Sequence, residues 1–368
     1  MTTRVAILGA TGSVGGQALE VVAAHPDLLR VTAVQARSRG DALRGIAMAN
    51  GARALVGDAG LDEFVARDDV DLVLVATPGI AGLVPTLAAL AAGKSVALAN
   101  KEVLVTGGHL VRAAVGGAGD RLRPVDSEHC ALWQCLVGER MSEVARVVLT
   151  ASGGPFRDRP LAALAQVTPA EALRHPTWRM GPKVTIDSAT LANKGYEVVE
   201  TRWLYDLPYE RIDVVVHPQS IVHALVELAD GSVKAQLAAP DMRLPIQYAL
   251  LGERHLPGPA ARLDLVAAGR LDFRAVEPGR YPCLEAVLET ARAGDQAAMI
   301  GLSAADEIAV ERFLDGEIGF GEIAGLLRRG AEAGARLGGA RAPELEEVLA
   351  IDAAVRRSLG AVAAGVAR

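Results

Sequence analysis

The sequence predicts an α/β protein with an N-terminal Rossmann-like doubly wound domain, an α+β domain and a C-terminal helical bundle. Three observations carry this. Short apolar runs alternate with Ala-rich helical stretches to about residue 125, a glycine-rich turn follows the first run, and no strand signal remains beyond Tyr281-Pro282. The runs Val5–Leu8, Val31–Val34, Leu72–Val75 and Ser95–Leu98, with a weaker one at Ala54–Val56, read as parallel strands. Gly9-Ala-Thr-Gly12-Ser-Val-Gly15 opens a helix that runs through His25. Residues 72–93 carry no charge, but Pro78, Gly79, Gly82 and Pro85 interrupt them, so they parse as strand, turn and helix, not as a membrane span.

From Val144 to Asp272 strands are expected at Arg146–Thr150, Ile212–Val216, Ile221–Leu228 and Val233–Leu237, the last two joined by the hairpin turn Ala229-Asp-Gly-Ser232. Long polar connections in this region contain Trp178 and Trp203. Residues 283–360 read as four amphipathic helices punctuated by Gly294, Gly316, Gly330 and Pro343. Domains are expected at 1–143, 144–274 and 283–368, with a linker at 275–282.

With 38 basic against 44 acidic residues the net charge is −6, and no basic surplus exists to neutralise a nucleic acid or an anionic membrane. Three cysteines, Cys130, Cys135 and Cys283, make neither a disulfide framework nor a Cys-x-x-Cys pair, which points to a reducing cytoplasm. The first residues read neither as a cleavable signal nor as a basic presequence. Only five of the basic residues are lysines (Lys94, Lys101, Lys183, Lys194 and Lys234), each a compact point charge where arginine is the default.

The glycine turn lets the backbone approach a pyrophosphate seated on the following helix N-terminus. The second strand ends Ala33-Val-Gln-Ala-Arg37-Ser38, without the carboxylate that binds a ribose 2′-hydroxyl. Arg37 and Ser38 suit a 2′-phosphate and hence NADP; a solvated turn arginine is the alternative. Pro124-Val-Asp126-Ser127-Glu128-His129 places two carboxylates at i and i+2, on one side of an extended segment, where they can share a cation. The same residues also read as the N-cap of a helix starting near Glu128. A third carboxylate lies in the run Asp187-Ser188-Ala-Thr-Leu-Ala-Asn193-Lys194-Gly195-Tyr-Glu197, and such oxygen donors suit Mg²⁺ or Mn²⁺ better than structural zinc. Ser152-Gly-Gly154, Ser188, Asn193 and Lys194 offer hydroxyls, backbone N–H groups, an amide and a cation for a phosphomonoester, although each alone also reads as turn chemistry. His175-Pro-Thr-Trp178-Arg-Met180-Gly-Pro182 has the breakers, histidine and indole of an active-site lid, with Trp178 in a core as the alternative. His217 reads as structural.

These strings (GATGSVG, ALANKE, PVDSEH, ASGGPF, HPTWRMGPK, DSATLANKG, HPQSIVH and APDMR) stand in the order found in the 1-deoxy-D-xylulose 5-phosphate reductoisomerase family, which the chain resembles over essentially its whole length. Ala304-Ala-Asp-Glu307 is the clearest match in the helical tail. The resemblance implies isomerisation and reduction of 1-deoxy-D-xylulose 5-phosphate to 2-C-methyl-D-erythritol 4-phosphate in non-mevalonate isoprenoid synthesis. It implies retro-aldol and aldol steps, then hydride transfer, with NADPH and a divalent metal (Mg²⁺ or Mn²⁺, with Co²⁺ a further option). The implied metal ligands are Asp126, Glu128 and Glu197. Phosphosugar contacts would come from Lys101, Ser127, Glu128, Ser152, His175, Trp178, Ser188, Asn193, Lys194 and Glu197, of which Lys101, Glu128, His175 and Glu197, together with Asp126, would be catalytic. Thr11, Gly12, Ser13, Val14, Ala36, Arg37, Ser38, Asn100, Glu102 and Gly181 would line the cofactor, with the nicotinamide under Met180. The family commonly has glycine where this chain has Ala36, which bears on the adenosine side of that pocket. A cytoplasmic homodimer without nucleic-acid or membrane partners is expected. Two rivals differ in what they need: a simple aldehyde reductase has no use for an acidic triad, and a nucleotide sensor would tolerate loss of Asp126 and Glu197.

Overall fold

The computed structural model describes residues 2–366 apart from Ala118, Arg179, Ala340 and Arg341, with backbone alone for 361–366. The first sheet contains β1 (Thr3–Leu8), β2 (Leu29–Ala36), β3 (Arg53–Val56), β4 (Leu72–Val75), β5 (Ser95–Leu98) and β6 (Leu122–Pro124). Their order is β3-β2-β1-β4-β5-β6, and every neighbouring pair is parallel. Val5 pairs with Val31 on one side and Leu72 on the other, so the strand order reverses between β1 and β4, where such sheets open a ligand crevice. Val5–Leu8 and Leu72–Val75 are buried throughout, as strands covered on both faces must be. The sequence pattern misses β6, because three residues containing Arg123 and Pro124 make no apolar run.

The second sheet has the order β10-β9-β7-β8-β11, from β7 (Val144–Ala151), β8 (Ile212–Val216), β9 (Val222–Leu228), β10 (Val233–Leu237) and β11 (Arg274–Ala275). β9 and β10 form the expected antiparallel hairpin, with Asp230 Oδ1 accepting from the Ser232 N–H at 2.9 Å. The two-residue β11 is too short to leave a sequence signature.

The chain forms two compact units. One comprises Met1–Val103, Leu110–Val147 and Ile221–Gly269; the other comprises Leu104–His109, Val148–Ser220 and Arg270–Arg368. Ile7, Val21, Val34, Leu43, Leu74 and Ile246 are central to the first unit's core. Tyr196, Val287, Leu302 and Phe313 hold the same place in the second. Cys130, Cys135 and Cys283 are free and buried. Among the described residues no helix is long and apolar enough to cross a membrane.

Among the described residues four α-helices follow Tyr281, at Pro282–Ala293, Gln296–Leu314, Ile323–Leu337 and Leu345–Val366, and two expectations about them need correction. Gly330 does not punctuate the chain but lies inside helix Ile323–Leu337. A Cβ there would stand 2.2 Å from Ala305 Cβ and 2.5 Å from the Gly301 carbonyl, and one on Gly334 would meet the Ala297 carbonyl at 2.1 Å. Glycine is kept because two helix backbones touch, not because a helix ends. Helix Gln296–Leu314 is also not amphipathic: residues 297–306 are buried without a break, as befits the centre of a bundle. A third correction concerns Trp203. It lies on helix Ala192–Tyr205, not in a connection, and its indole presses on Gly108, where a Cβ would come within 2.4 Å. Helix Lys101–Val115 kinks at Gly107 (φ −130°, ψ 22°), and the Gln296 amide donates to the Val105 and Thr106 carbonyls beside the kink at 2.8 and 2.9 Å.

Candidate active site

In the first unit the glycine turn is built by close backbone approach. Gly9 has φ +80°, and a Cβ there would lie 2.6 Å from the Ala76 carbonyl; a Cβ on Gly15 would lie 2.4 Å from the Gly9 carbonyl. Helix Ser13–Ala24 begins at Gly12 without a side-chain cap or an acidic residue in its first turn, so its leading N–H groups are available to an anion. Gly12 and Ser13 are exposed, and Thr11 and Val14 half-buried. Beyond β2, Ala36 is buried while Arg37 and Ser38 are exposed. The pattern overlooked two neighbours here. Buried Gln35 accepts from the Gly9 N–H at 3.2 Å and donates to the Gly57 carbonyl and to Asp58 Oδ1, at 2.9 and 3.2 Å. Asp58 Oδ2 in turn lies 3.9 Å from Arg37 Nε. Asn100 caps helix Lys101–Val115 by accepting from the Val103 N–H at 2.9 Å, and its amide donates to the Thr77 and Gly79 carbonyls. It thereby holds the turn that abuts Gly9. Glu102 is buried in that helix's first turn.

Of the two geometries open to the acidic pair, the structure shows the helix cap and not the extended segment. Only Asp126 is non-helical; it is the N-cap of helix Ser127–Leu136, its carboxylate accepting from the Glu128 N–H at 3.2 Å, and Glu128 lies in the first turn. The carboxylates come together, with ligand oxygens within 4.8 Å, through a helix start and not an extended strand. Lys101 Nζ forms an ion pair with Asp126 Oδ2, and Ser127 Oγ donates to Glu128 Oε2 at 2.6 Å. Fully buried His129, which the sequence reading passed over, places Nδ1 3.2 Å from Asp126 Oδ1. Its spacing of three from Asp126 on a helix was the available signal.

In the second unit Ser152, His175 and Ser188 converge. His175 Nε2 lies 3.1 Å from Ser152 Oγ and 3.0 Å from Ser188 Oγ, and Nδ1 accepts the backbone N–H groups of Thr177 and Trp178 at 3.2 and 2.9 Å. With Nδ1 occupied as an acceptor, the neutral ring carries its proton on Nε2. Burial and then the nearby Arg157 charge push the imidazole down to about 4, so it is neutral at pH 7. Gly154, at φ +65°, lets the Ser152 turn lie against helix Pro182–Thr190, where a Cβ would be 2.9 Å from Ala189 Cα. Gly181 caps that helix and accepts from Thr185 Oγ1 at 2.9 Å. Leu191, left-handed at φ 56°, joins it to helix Ala192–Tyr205. That conformation costs roughly 1–2 kcal/mol, offset by burial of the side chain with Ala151, Tyr281 and Leu284.

Asn193 donates to Glu197 Oε1 at 2.5 Å, and Lys194 pairs with Glu197 Oε2, all on one helix face. Asp187 has a different partner: Lys183 Nζ lies 2.7 Å from Asp187 and 2.8 Å from Asp306, above the Tyr196 ring. Trp178 and Met180 are half-buried, and Arg179 of the expected lid lies outside the described residues. His217 is structural: it is fully buried, with Nδ1 2.8 Å from the Asp272 carbonyl and its ring stacked on Phe273.

Comparison with known proteins places this arrangement. A family model described as 1-deoxy-D-xylulose 5-phosphate reductoisomerase matches residues 5–52 and 44–108. The model of that enzyme's C-terminal domain matches 122–205, and a second DXP reductoisomerase C-terminal domain model matches 237–358. The 1-deoxy-D-xylulose 5-phosphate reductoisomerase of Thermomicrobium roseum is 52% identical over 89% of this chain and 90% of its own length. The chain belongs to the 1-deoxy-D-xylulose 5-phosphate reductoisomerase family. The reductoisomerase of Moorella thermoacetica is 45% identical over the full length of both chains. A crystal structure of DOX-P reductoisomerase in complex with NADPH, fosmidomycin and magnesium is 36% identical and superposes with a TM-score of 0.92, covering 100% of this chain and 99% of that one. The reductoisomerase from Zymomonas mobilis in complex with NADPH gives 37% identity and 0.88 over 99% of each chain. The glycine turn falls in the family's N-terminal match, and the Asp126–Glu128 cap and the Ser152–Glu197 cluster fall in its C-terminal one.

Proposed function

We propose that this chain converts 1-deoxy-D-xylulose 5-phosphate to 2-C-methyl-D-erythritol 4-phosphate with NADPH and a divalent cation. The observation that carries the reading is the 52% identity to a reductoisomerase, in a chain that has an acidic helix cap beside Lys101. Asp126, Glu128 and Glu197 each offer a carboxylate oxygen, a donor set that fits Mg²⁺, Mn²⁺ or Co²⁺ and lacks the soft ligands of structural zinc. The uncapped helix start at Gly12 fits a pyrophosphate, and exposed Arg37 and Ser38 fit a 2′-phosphate, with Thr11, Ser13, Val14, Ala36, Asn100, Glu102 and Gly181 completing the cofactor contacts. When bound, the cation supplies Lewis-acid polarisation of the sugar's carbonyl and adjacent hydroxyl, and NADPH supplies a hydride.

The chain's own residues then divide the work. Lys101 adds positive charge where an enediolate oxygen develops, and Ser127 keeps Glu128 oriented. Ser152, Ser188, Asn193 and Lys194 hold the sugar's phosphate, and His175 donates to it through Nε2–H. Binding energy gathered at the phosphate positions the reacting end of the sugar. Segment 175–182 closes over the substrate, with Trp178 as its cover and Met180 against the nicotinamide. The chain works in the cytoplasm, a reading supported by its three unpaired cysteines, as a homodimer, for which exposed Leu265 and Val266 offer an apolar contact.

The test is NADPH consumption with 1-deoxy-D-xylulose 5-phosphate, with and without EDTA. Consumption should require both sugar phosphate and cation, and added Mg²⁺ should restore it. Undiminished consumption in EDTA, or none with this substrate, overturns the assignment.

A further inference from the structure

Resting on the phosphosugar reading above, we infer that Arg157 is a specificity-determining residue, the cation that makes the Ser152–His175–Ser188 pocket select a phosphate dianion over an uncharged group. The three side chains that meet there are all neutral: two hydroxyls and an imidazole whose Nδ1 accepts two backbone N–H groups. Lys194, which the reading above also sets against the phosphate, has its charge paired with buried Glu197. A pocket of two hydroxyls, an imidazole and a paired ammonium can hold a phosphate but gains little Coulomb energy from its second charge.

Arg157 sits five residues past Ser152, on the same turn. Its Nη1 reaches the Ser152 carbonyl at 3.4 Å, and its alkyl stem packs under Gly153, where a Cβ would stand 2.8 Å from Arg157 Cβ. Its Nε is buried and makes no aligned hydrogen bond, although Asp158 Oδ2 lies 3.3 Å away. Asp158 is itself engaged by Arg274 at 2.7 Å, so it offsets the Arg157 charge only in part. The Arg157 charge also reaches His175, where it opposes protonation of the ring. The guanidinium is thus a cation only partly offset by Asp158, held beside the Ser152 turn by packing on one side, with 23% of its side chain exposed. It acts through space on the phosphate and adds to the burial that keeps His175 a neutral Nε2–H donor.

The experiment compares Arg157→Met and Arg157→Lys with the unchanged chain, measuring KM for the phosphosugar, KM for NADPH and kcat. Arg157→Met should raise the sugar KM about tenfold, the effect of ~1.4 kcal/mol from one partly screened charge, while kcat and the NADPH KM hold. Arg157→Lys should recover most of that loss, because charge and not fork geometry is required. Thermal stabilisation by inorganic phosphate, read without turnover, should be present in the unchanged chain and in the lysine variant and weak in Arg157→Met. This arm stands even for a chain that does not turn over the sugar, which separates failure of the inference from failure of the proposed reaction. An unchanged sugar KM in Arg157→Met, equal losses in both variants, or no stabilisation of the unchanged chain by phosphate overturns the inference.

Discussion

Glu197 is 1% exposed and holds its two oxygens toward Asn193 and Lys194, so a change there tests charge without changing shape. Glu197→Gln should lower activity by about a hundredfold or more, shift the Mg²⁺ requirement upward and leave the circular dichroism spectrum unaltered. Full activity at the original Mg²⁺ concentration would remove Glu197 from the ligand set. His175 makes a pH-dependent contribution of known sign. In the unfolded chain histidine takes its proton near 6.5, whereas in the fold His175 is pushed down to about 4. Between those values the unfolded chain binds a proton that the fold does not, so stability is complete above about pH 6.5 and declines as pH falls toward about 4. Urea unfolding on either side of that window should give a shallower pH slope for His175→Gln. At the cofactor end, Arg37→Ala should raise the KM for NADPH about tenfold and leave that for NADH unchanged. An equal loss with both would show that Arg37 does not read the 2′-phosphate.

Helix pairs carry what single residues cannot. Gly301 and Gly330 bring two helices of the second unit into backbone contact, and Gly330→Ala would place a methyl 2.2 Å from Ala305 Cβ. The variant should lose roughly 3 kcal/mol in urea unfolding, with an unchanged KM wherever the fold persists. The seam was misread because glycine has two uses, ending a helix and letting a neighbour in, and spacing alone does not separate them. The strands of the first sheet were legible because burial on both faces leaves continuous apolar runs; β6 and β11 were not, being two or three residues long and held by their neighbours. The acidic pair left two geometries open, since i and i+2 on a strand and a cap with its first turn both bring carboxylates together, and the fold takes the cap. Asp58 and Arg157 left no motif at all: one reaches Arg37 from the end of another strand, and the other looks like any surface arginine until its turn is folded.

At the scale of the whole molecule, ligand binding and global unfolding each have a reporter. With Trp133 and Trp203 replaced by Phe, Trp178 alone reports on segment 175–182, whose start is held by its own N–H groups on His175. Saturation with a phosphonate-hydroxamate, Mg²⁺ and NADPH should change its fluorescence, because bound contacts offset the entropy of ordering the segment. A constant spectrum would count against closure.

The three buried thiols record the opposite event. Burial pushes Cys130 up to about 12 and Cys135 to about 11, and Cys283 is raised by the same cause. None is a thiolate near neutrality, and each sits behind packed side chains, so an aromatic disulfide reagent should find almost nothing to attack in the native molecule. Every thiol it does modify then marks a passage through an opened state, and modification is irreversible on the timescale of reclosing. In excess reagent, the rate of colour release therefore becomes a clock for the opening of each unit, with Cys130 and Cys135 timing one and Cys283 the other.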